Sequence, residues 1–134
     1  MNKEKLIEEL KRDEGVELRP YKCSAGFLTL GRNIQERGIT MDESDYLLAN
    51  DIKICEEEAS KVFKWFPSLT DDRQRAIINM VFNLGLTKLL HFKKFLAAME
   101  AGDYETAGKE MLDSKWARQV GNRSDRLEQM IVNG

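Results

Sequence analysis

Asp13-Glu14-Gly15-Val16-Glu17-Leu18-Arg19-Pro20-Tyr21-Lys22-Cys23-Ser24-Ala25-Gly26-Phe27-Leu28-Thr29 is the stretch on which the reading of this chain turns. A carboxyl group, Glu14, stands where a helical pattern ends. Eight residues lie between it and the polarisable side chain of Cys23, and five more lie between Cys23 and the hydroxyl of Thr29. Gly15 breaks the helix. Beyond it Tyr21, Phe27, Leu28, Thr29, Leu30 and Ile34 are strand formers, punctuated by Pro20, Gly26 and Gly31. Ser24-Ala25-Gly26 is the expected turn, which makes the region a short hairpin.

The flanks read as helix. Upstream, Leu6, Ile7 and Leu10 recur at helical spacing over residues 3–12. Downstream, Thr40 and Glu43 have the spacing of a capping box and start a second helix. Its apolar positions Leu47, Leu48, Ile52, Cys55, Ala59, Val62 and Phe63 run to the break at Phe66-Pro67. A helix this long directly after a small β region can bridge two lobes. Thr70-Asp71-Asp72 opens the next helix, with Ala76, Ile77, Met80, Val81 and Leu84 as its inner stripe and Gly85 as its stop. Further helices carry Phe92, Phe95, Leu96 and Met99, then Tyr104, Ala107, Met111 and Leu112. A short piece holds Trp116, and a last helix turns Leu127, Met130 and Ile131 inward. The pattern is a small β lobe inserted into an α-helical body.

Length and composition exclude several classes. A chain of 134 residues is one domain's worth and long enough to bury a core. It is 42% apolar and 33% charged, and no apolar run approaches the about 20 residues of a membrane span. The first residues are charged and lack the apolar centre of a signal peptide, so a cytosolic origin is expected. Two cysteines make no disulfide framework and read as free thiols. A net charge of −2 without a basic face argues against nucleic-acid binding. His91 is the single histidine, which argues against a Ser-His-Asp triad and a His-rich metal site. Glu56-Glu57-Glu58 reads as a solvated helix face, and there is no phosphate-binding glycine loop. No metal and no cofactor are expected.

The stretch over residues 13–29 resembles the active-site segment of the phage lysozymes of the T-even type, which place a Glu, an Asp and a Thr at this spacing. The resemblance continues in order from about residue 6 to residue 131. Thr40 to Asp51 is similar to the start of that family's inter-lobe helix. Ala76-Ile77-Ile78-Asn79-Met80-Val81-Phe82-Asn83-Leu84-Gly85 is similar to its central buried helix. Ser114-Lys115-Trp116 followed by Gly121-Asn122-Arg123 is similar to its C-terminal signature. Two departures stand out. Cysteine replaces the aspartate. The family's Thr-x-Gly-x-Gly, followed by His or Arg-Asn, is here Thr29-Leu30-Gly31-Arg32-Asn33, shorter by two residues. Removing an even number keeps strand alternation, so the hairpin is expected to survive shortened by one pair.

The resemblance implies a single lysozyme-like domain over 1–134, α+β and mostly α. It would have a β lobe at about 13–40, an inter-lobe helix at about 41–65, and a helical lobe at about 66–134 that includes the N-terminal helix 3–12. It implies an endolysin muramidase that hydrolyses the β-1,4 bond between N-acetylmuramic acid and N-acetylglucosamine. Glu14 would be the general acid, supported by Arg123. Thr29 would hold the attacking water. Cys23 would act as base or, as a thiolate, as nucleophile. Gly31, Phe82, Asn83, Leu84 and Trp116 would contact sugar, although core packing suits Phe82 and Trp116 better and Asn83 is the better binding candidate. The implied partner is the peptidoglycan glycan strand, with no membrane insertion, a monomeric state, and storage in the host cytoplasm until a separate permeabilising protein releases the enzyme to the wall or periplasm. The rival readings are a lysozyme-fold glycan binder without catalysis and a helical protein-interaction module.

Overall fold

The structure, a computed structural model, describes all 134 residues. It is an α+β fold, mostly α, with nine α-helices, one 3-10 turn and a three-stranded antiparallel sheet. Contacts between residues divide it into Met1–Tyr46 and Leu47–Gly134. That division groups the N-terminal helix with the sheet, where the sequence assigns it to the helical lobe, and it falls inside the long helix.

In the first unit, α1 (Lys3–Glu14) starts on Asn2, whose Oδ1 accepts from the Lys5 N–H at 3.0 Å. It runs two residues past its expected end, so Glu14 is the last helical residue. Gly15 then turns the chain at φ +75°, a conformation that costs glycine little. The strands β1 (Tyr21–Lys22), β2 (Leu28–Leu30) and β3 (Arg32–Asn33) follow, with Tyr21 and Asn33 on either side of Thr29. The expected turn is present: the Cys23 N–H donates to the Phe27 carbonyl at 2.9 Å and the Gly26 N–H to the Cys23 carbonyl at 2.8 Å. The second hairpin turns on Gly31 alone, at φ +67°. The short hairpin thus forms, with Thr29 paired on both sides.

Ile34, a strand former by type, instead begins the short helix α2 (Ile34–Arg37). Asn33 caps it, accepting from the Glu36 N–H at 3.1 Å, and Gln35 Oε1 accepts from the Leu28 N–H at 2.8 Å. Four residues are too few to show a helical period. The long helix α3 (Met41–Val62) begins with the expected capping box. The Thr40 N–H donates to Glu43 Oε1 at 2.9 Å and the Glu43 N–H to Thr40 Oγ1 at 3.2 Å.

The second unit holds the core. Past a 3-10 turn (Phe66–Ser68), the helices are α4 (Asp71–Leu84), α5 (Leu86–Leu89), α6 (Lys93–Ala101), α7 (Tyr104–Leu112), α8 (Lys115–Val120) and α9 (Asn122–Asn133). Ile77 and Met80 of α4, Leu89, Phe95, Met99, Met111 and Ile131 are fully buried. Of the apolar positions expected along this helix, the structure buries Cys55, Ala59 and, just past its end, Phe63, but leaves Leu47, Leu48, Ile52 and Val62 exposed. Only the C-terminal half of α3 therefore contributes to the core. Arg73 fixes the last helix to α4: it donates to the Ile131 carbonyl at 2.7 Å and sits over the Tyr104 ring at 3.5 Å.

Candidate active site

Four of the expected site residues, Glu14, Cys23, Thr29 and Gly31, lie in the first unit. Glu14 ends α1 with its carboxyl exposed. Helix termination puts it there, since Gly15 returns its own N–H to the Lys11 carbonyl at 3.0 Å. Cys23 opens the hairpin turn and is half-buried. Its thiol is held below the ordinary range, first by the backbone N–H of Phe27 and then by that of Ala25; burial opposes them, and the Thr29 hydroxyl adds a lesser lowering. The sequence offers Lys22 and Arg19 as the possible cause of such a shift. The fold uses hydrogen-bond donors of the turn instead. This is the third of the ways a protein moves a pKa, stabilisation of the charged form by N–H groups.

Thr29 is buried at the centre of β2, and its hydroxyl donates to the Phe27 carbonyl at 3.0 Å. Gly31 occupies the β2–β3 turn. A side chain there would meet nothing within 4 Å, so its glycine is required by the positive φ and not by a crowded neighbour. Arg32 and Asn33, next in the family's pattern, serve the local structure. Arg32 pairs with Glu43 at the start of α3, and Asn33 caps α2.

The remaining candidates lie in the second unit. Trp116 is buried, its ring edge-on to Phe92 with centroids 6.2 Å apart. Its indole N–H donates to Asn83 Oδ1 at 2.7 Å. Asn83 is exposed, and its oxygen satisfies a buried donor. Leu84 packs on the core. Phe82 is 46% exposed and lines a groove of about 720 Å³ between α3 and α4, along with Leu48, Ile52, Ile78, Asn79 and Arg123. Core packing describes Trp116 and not Phe82.

Arg123 stands near the start of α9. Its Nε and one terminal nitrogen both donate to Asn79 Oδ1, at 2.9 and 2.7 Å. Asn79 is a residue that sequence reasoning leaves out of the site. Its signal was its place inside the central helix, a polar side chain three positions before Phe82. The other cysteine, Cys55, is buried in the core of this unit, and burial pushes its thiol up. No helix is long and apolar enough to cross a membrane.

A helix-terminal carboxyl, a half-buried thiol and a buried hydroxyl thus lie in one small unit of a mostly helical α+β fold. The phage lysozyme family model matches residues 11–130. Probable T4-type lysozyme 1 of Dictyostelium discoideum is 31% identical over 93% of this chain and 92% of its own length. An endolysin of Acyrthosiphon pisum secondary endosymbiont phage 1 is 32% identical over 86% of this chain and 79% of its own. The pre-baseplate central spike protein Gp5 of Enterobacteria phage T4 is 30% identical over 96% of this chain, which spans 28% of that longer protein. The chain belongs to the phage lysozyme family and is a glycoside hydrolase of lysozyme type.

Proposed function

We propose that this chain is an endolysin muramidase that cleaves the β-1,4 bond between N-acetylmuramic acid and N-acetylglucosamine in peptidoglycan and so lyses the host cell. The observation that carries this reading is the Glu14, Cys23 and Thr29 spacing inside a family match over residues 11–130. Glu14 donates a proton to the leaving oxygen. Cys23 as thiolate takes a proton from the attacking water or attacks the anomeric carbon itself, and Thr29 holds the water. The backbone donors that favour the thiolate support that role for Cys23. Arg123, Gly31, Phe82, Asn83, Leu84 and Trp116 carry over from the resemblance, Arg123 as support for the acid and the others as sugar contacts. Asn83 and Phe82 are exposed enough to meet a ligand, and Trp116 acts by fixing Asn83. The enzyme works as a monomer without cofactor, is held in the host cytoplasm and reaches the wall or periplasm through a separate permeabilising protein.

The test is digestion of purified peptidoglycan with mass analysis of the products. New N-acetylmuramic acid reducing ends and a fall in turbidity are expected, with both lost in Glu14→Gln. Glycan binding without new reducing ends would replace this reading by a lysozyme-fold binding protein. Retention of the anomeric configuration would assign Cys23 as nucleophile, and inversion would assign it as base.

A further inference from the structure

We propose that Asn79 is the positioning residue of Arg123: its amide oxygen fixes the guanidinium by one edge without spending the charge, and so holds the other edge ready for a carboxylate. The inference rests on the reading of Arg123 as support for the acid, in which that carboxylate is Glu14.

Asn79 stands in the interior of α4, between Ile78 and Met80. Asparagine is a weak helix former, and a residue that breaks a local rule inside an otherwise consistent element points to a task outside that element. The structure shows where the side chain goes. The Nε and one terminal nitrogen of Arg123 donate to the same oxygen, Asn79 Oδ1, at 2.9 and 2.7 Å. Two donors of one rigid plane on one acceptor fix the guanidinium in position and in tilt, where a single bond would let it turn. Arg123 is the second residue of α9, so the clamp ties the start of that helix to the middle of α4.

The clamp leaves donors over. The other N–H groups of the guanidinium, all on its terminal nitrogens, make no hydrogen bond within Leu47–Gly134, and no carboxylate of that unit pairs with them. Arg123 is half-buried and lines the groove that also holds Leu48, Ile52 and Phe82. Of the acids on that groove, Asp71 is engaged by Arg75, and Glu56 forms no ion pair. A carboxylate in place of Asn79 would hold the guanidinium more tightly, since charge-assisted hydrogen bonds are stronger than neutral ones, but it would also neutralise it. The amide supplies the geometry and keeps the positive charge for a second partner.

The experiment compares Asn79→Asp and Asn79→Ala with the native chain in two measurements, the rate of reducing-end release from purified peptidoglycan and the midpoint of urea unfolding. Asn79→Asp should unfold at the same or a higher urea concentration and yet release reducing ends several-fold more slowly. A residue that served stability alone would move both readouts together. Asn79→Ala frees the guanidinium but leaves its charge, and should lower both. In an Arg123→Ala background, with enzyme raised until the rate is measurable, neither substitution of Asn79 should slow release further. Native activity in Asn79→Asp, a variant Asp chain that is both less stable and less active, or a loss of rate that persists in full without Arg123 overturns the inference and leaves the muramidase reading in place. A native chain that releases no reducing ends overturns that reading, and the role of Asn79 falls with it.

Discussion

At the scale of single residues, the chemistry of the site turns on what replaces a carboxylate. An ordinary thiol is mostly neutral near pH 7, whereas an ordinary aspartate is ionised from about pH 4 upward. The N–H groups of Phe27 and Ala25 lower the Cys23 thiol and so raise the thiolate fraction at any given pH below its ordinary range. Activity that depends on the thiolate should fade as pH falls through this lowered value. In Cys23→Asp the same donors face a carboxylate, and the acid limb of the lysis profile should move down, leaving activity at about pH 5 that the native enzyme lacks. Cys23→Ser should lose about 100-fold or more in kcat, the usual cost of a missing acid–base group. Equal acid limbs for the native enzyme and Cys23→Asp would mean that another group sets the profile. Asn83 gives a second test. Asn83→Leu leaves the buried Trp116 indole N–H without its acceptor, and should cost about 1–3 kcal/mol in a urea denaturation series. A cost within a few tenths would free Asn83 from its structural duty and make it wholly a binding residue. The sequence showed Asn83 and Trp116 as separate sugar contacts because they stand 33 positions apart, and only the fold brings them to one hydrogen bond.

At the scale of elements, helix starts were legible and the short pieces were not. A cap is written within four residues, so Thr40 with Glu43 announced α3, and Thr70 announced α4. The helices α2 and α5 carry four residues each, less than the window a period needs, and Ile34 misleads because its type favours strand. The exposed half of α3 was hidden for another reason. Periodicity reports a face, not whether anything covers it, and Leu48 and Ile52 line a groove. The capping box carries its own prediction. Thr40→Ala should cost about 1 kcal/mol. Glu43 is held below the ordinary carboxylate range chiefly by the Thr40 N–H, with the Thr40 hydroxyl and Arg32 adding to it. Its contribution is therefore complete above the unfolded carboxylate range and is lost as pH falls through the lowered folded value. The stability gap between the native chain and Glu43→Gln should close on acidification, and a gap that widens instead would contradict the assignment. Between α7 and α9 the packing is tighter than the sequence suggests. A Cβ on Gly108 would meet Val132 Cγ2 at 2.7 Å, and valine is stiff. Gly108→Ala gains about 1 kcal/mol of helix propensity, but overpacking costs about 1–3 kcal/mol, so the net change should be loss. Thermal melts that show a clear gain would mean that α9 yields.

At the scale of the whole molecule, the two units differ in what holds them. Every buried apolar side chain, from Cys55 to Ile131, belongs to Leu47–Gly134. Within Met1–Tyr46 the one buried side chain is Thr29, and α1 buries none. A small sheet without an apolar face of its own is marginal in water, and a lone helix of a dozen residues is little better. The unit that carries the proposed acid, thiol and hydroxyl is thus the one with the least stability of its own. This order suits a hydrolase, since loops and lids that bind substrate come from the low-stability end of a fold. Expressed separately, residues 47–134 should keep helical circular dichroism and melt cooperatively as a monomer. Residues 1–46 should show neither a cooperative transition nor protected amides in hydrogen exchange. In the full chain, limited proteolysis should nick residues 1–46 first, and the amides of β1 and β2 should exchange before those of α4 and α9. A fragment 47–134 that melts without cooperativity, or sheet amides that outlast those of α4, would show that the core seen in the second unit does not govern the stability of the chain.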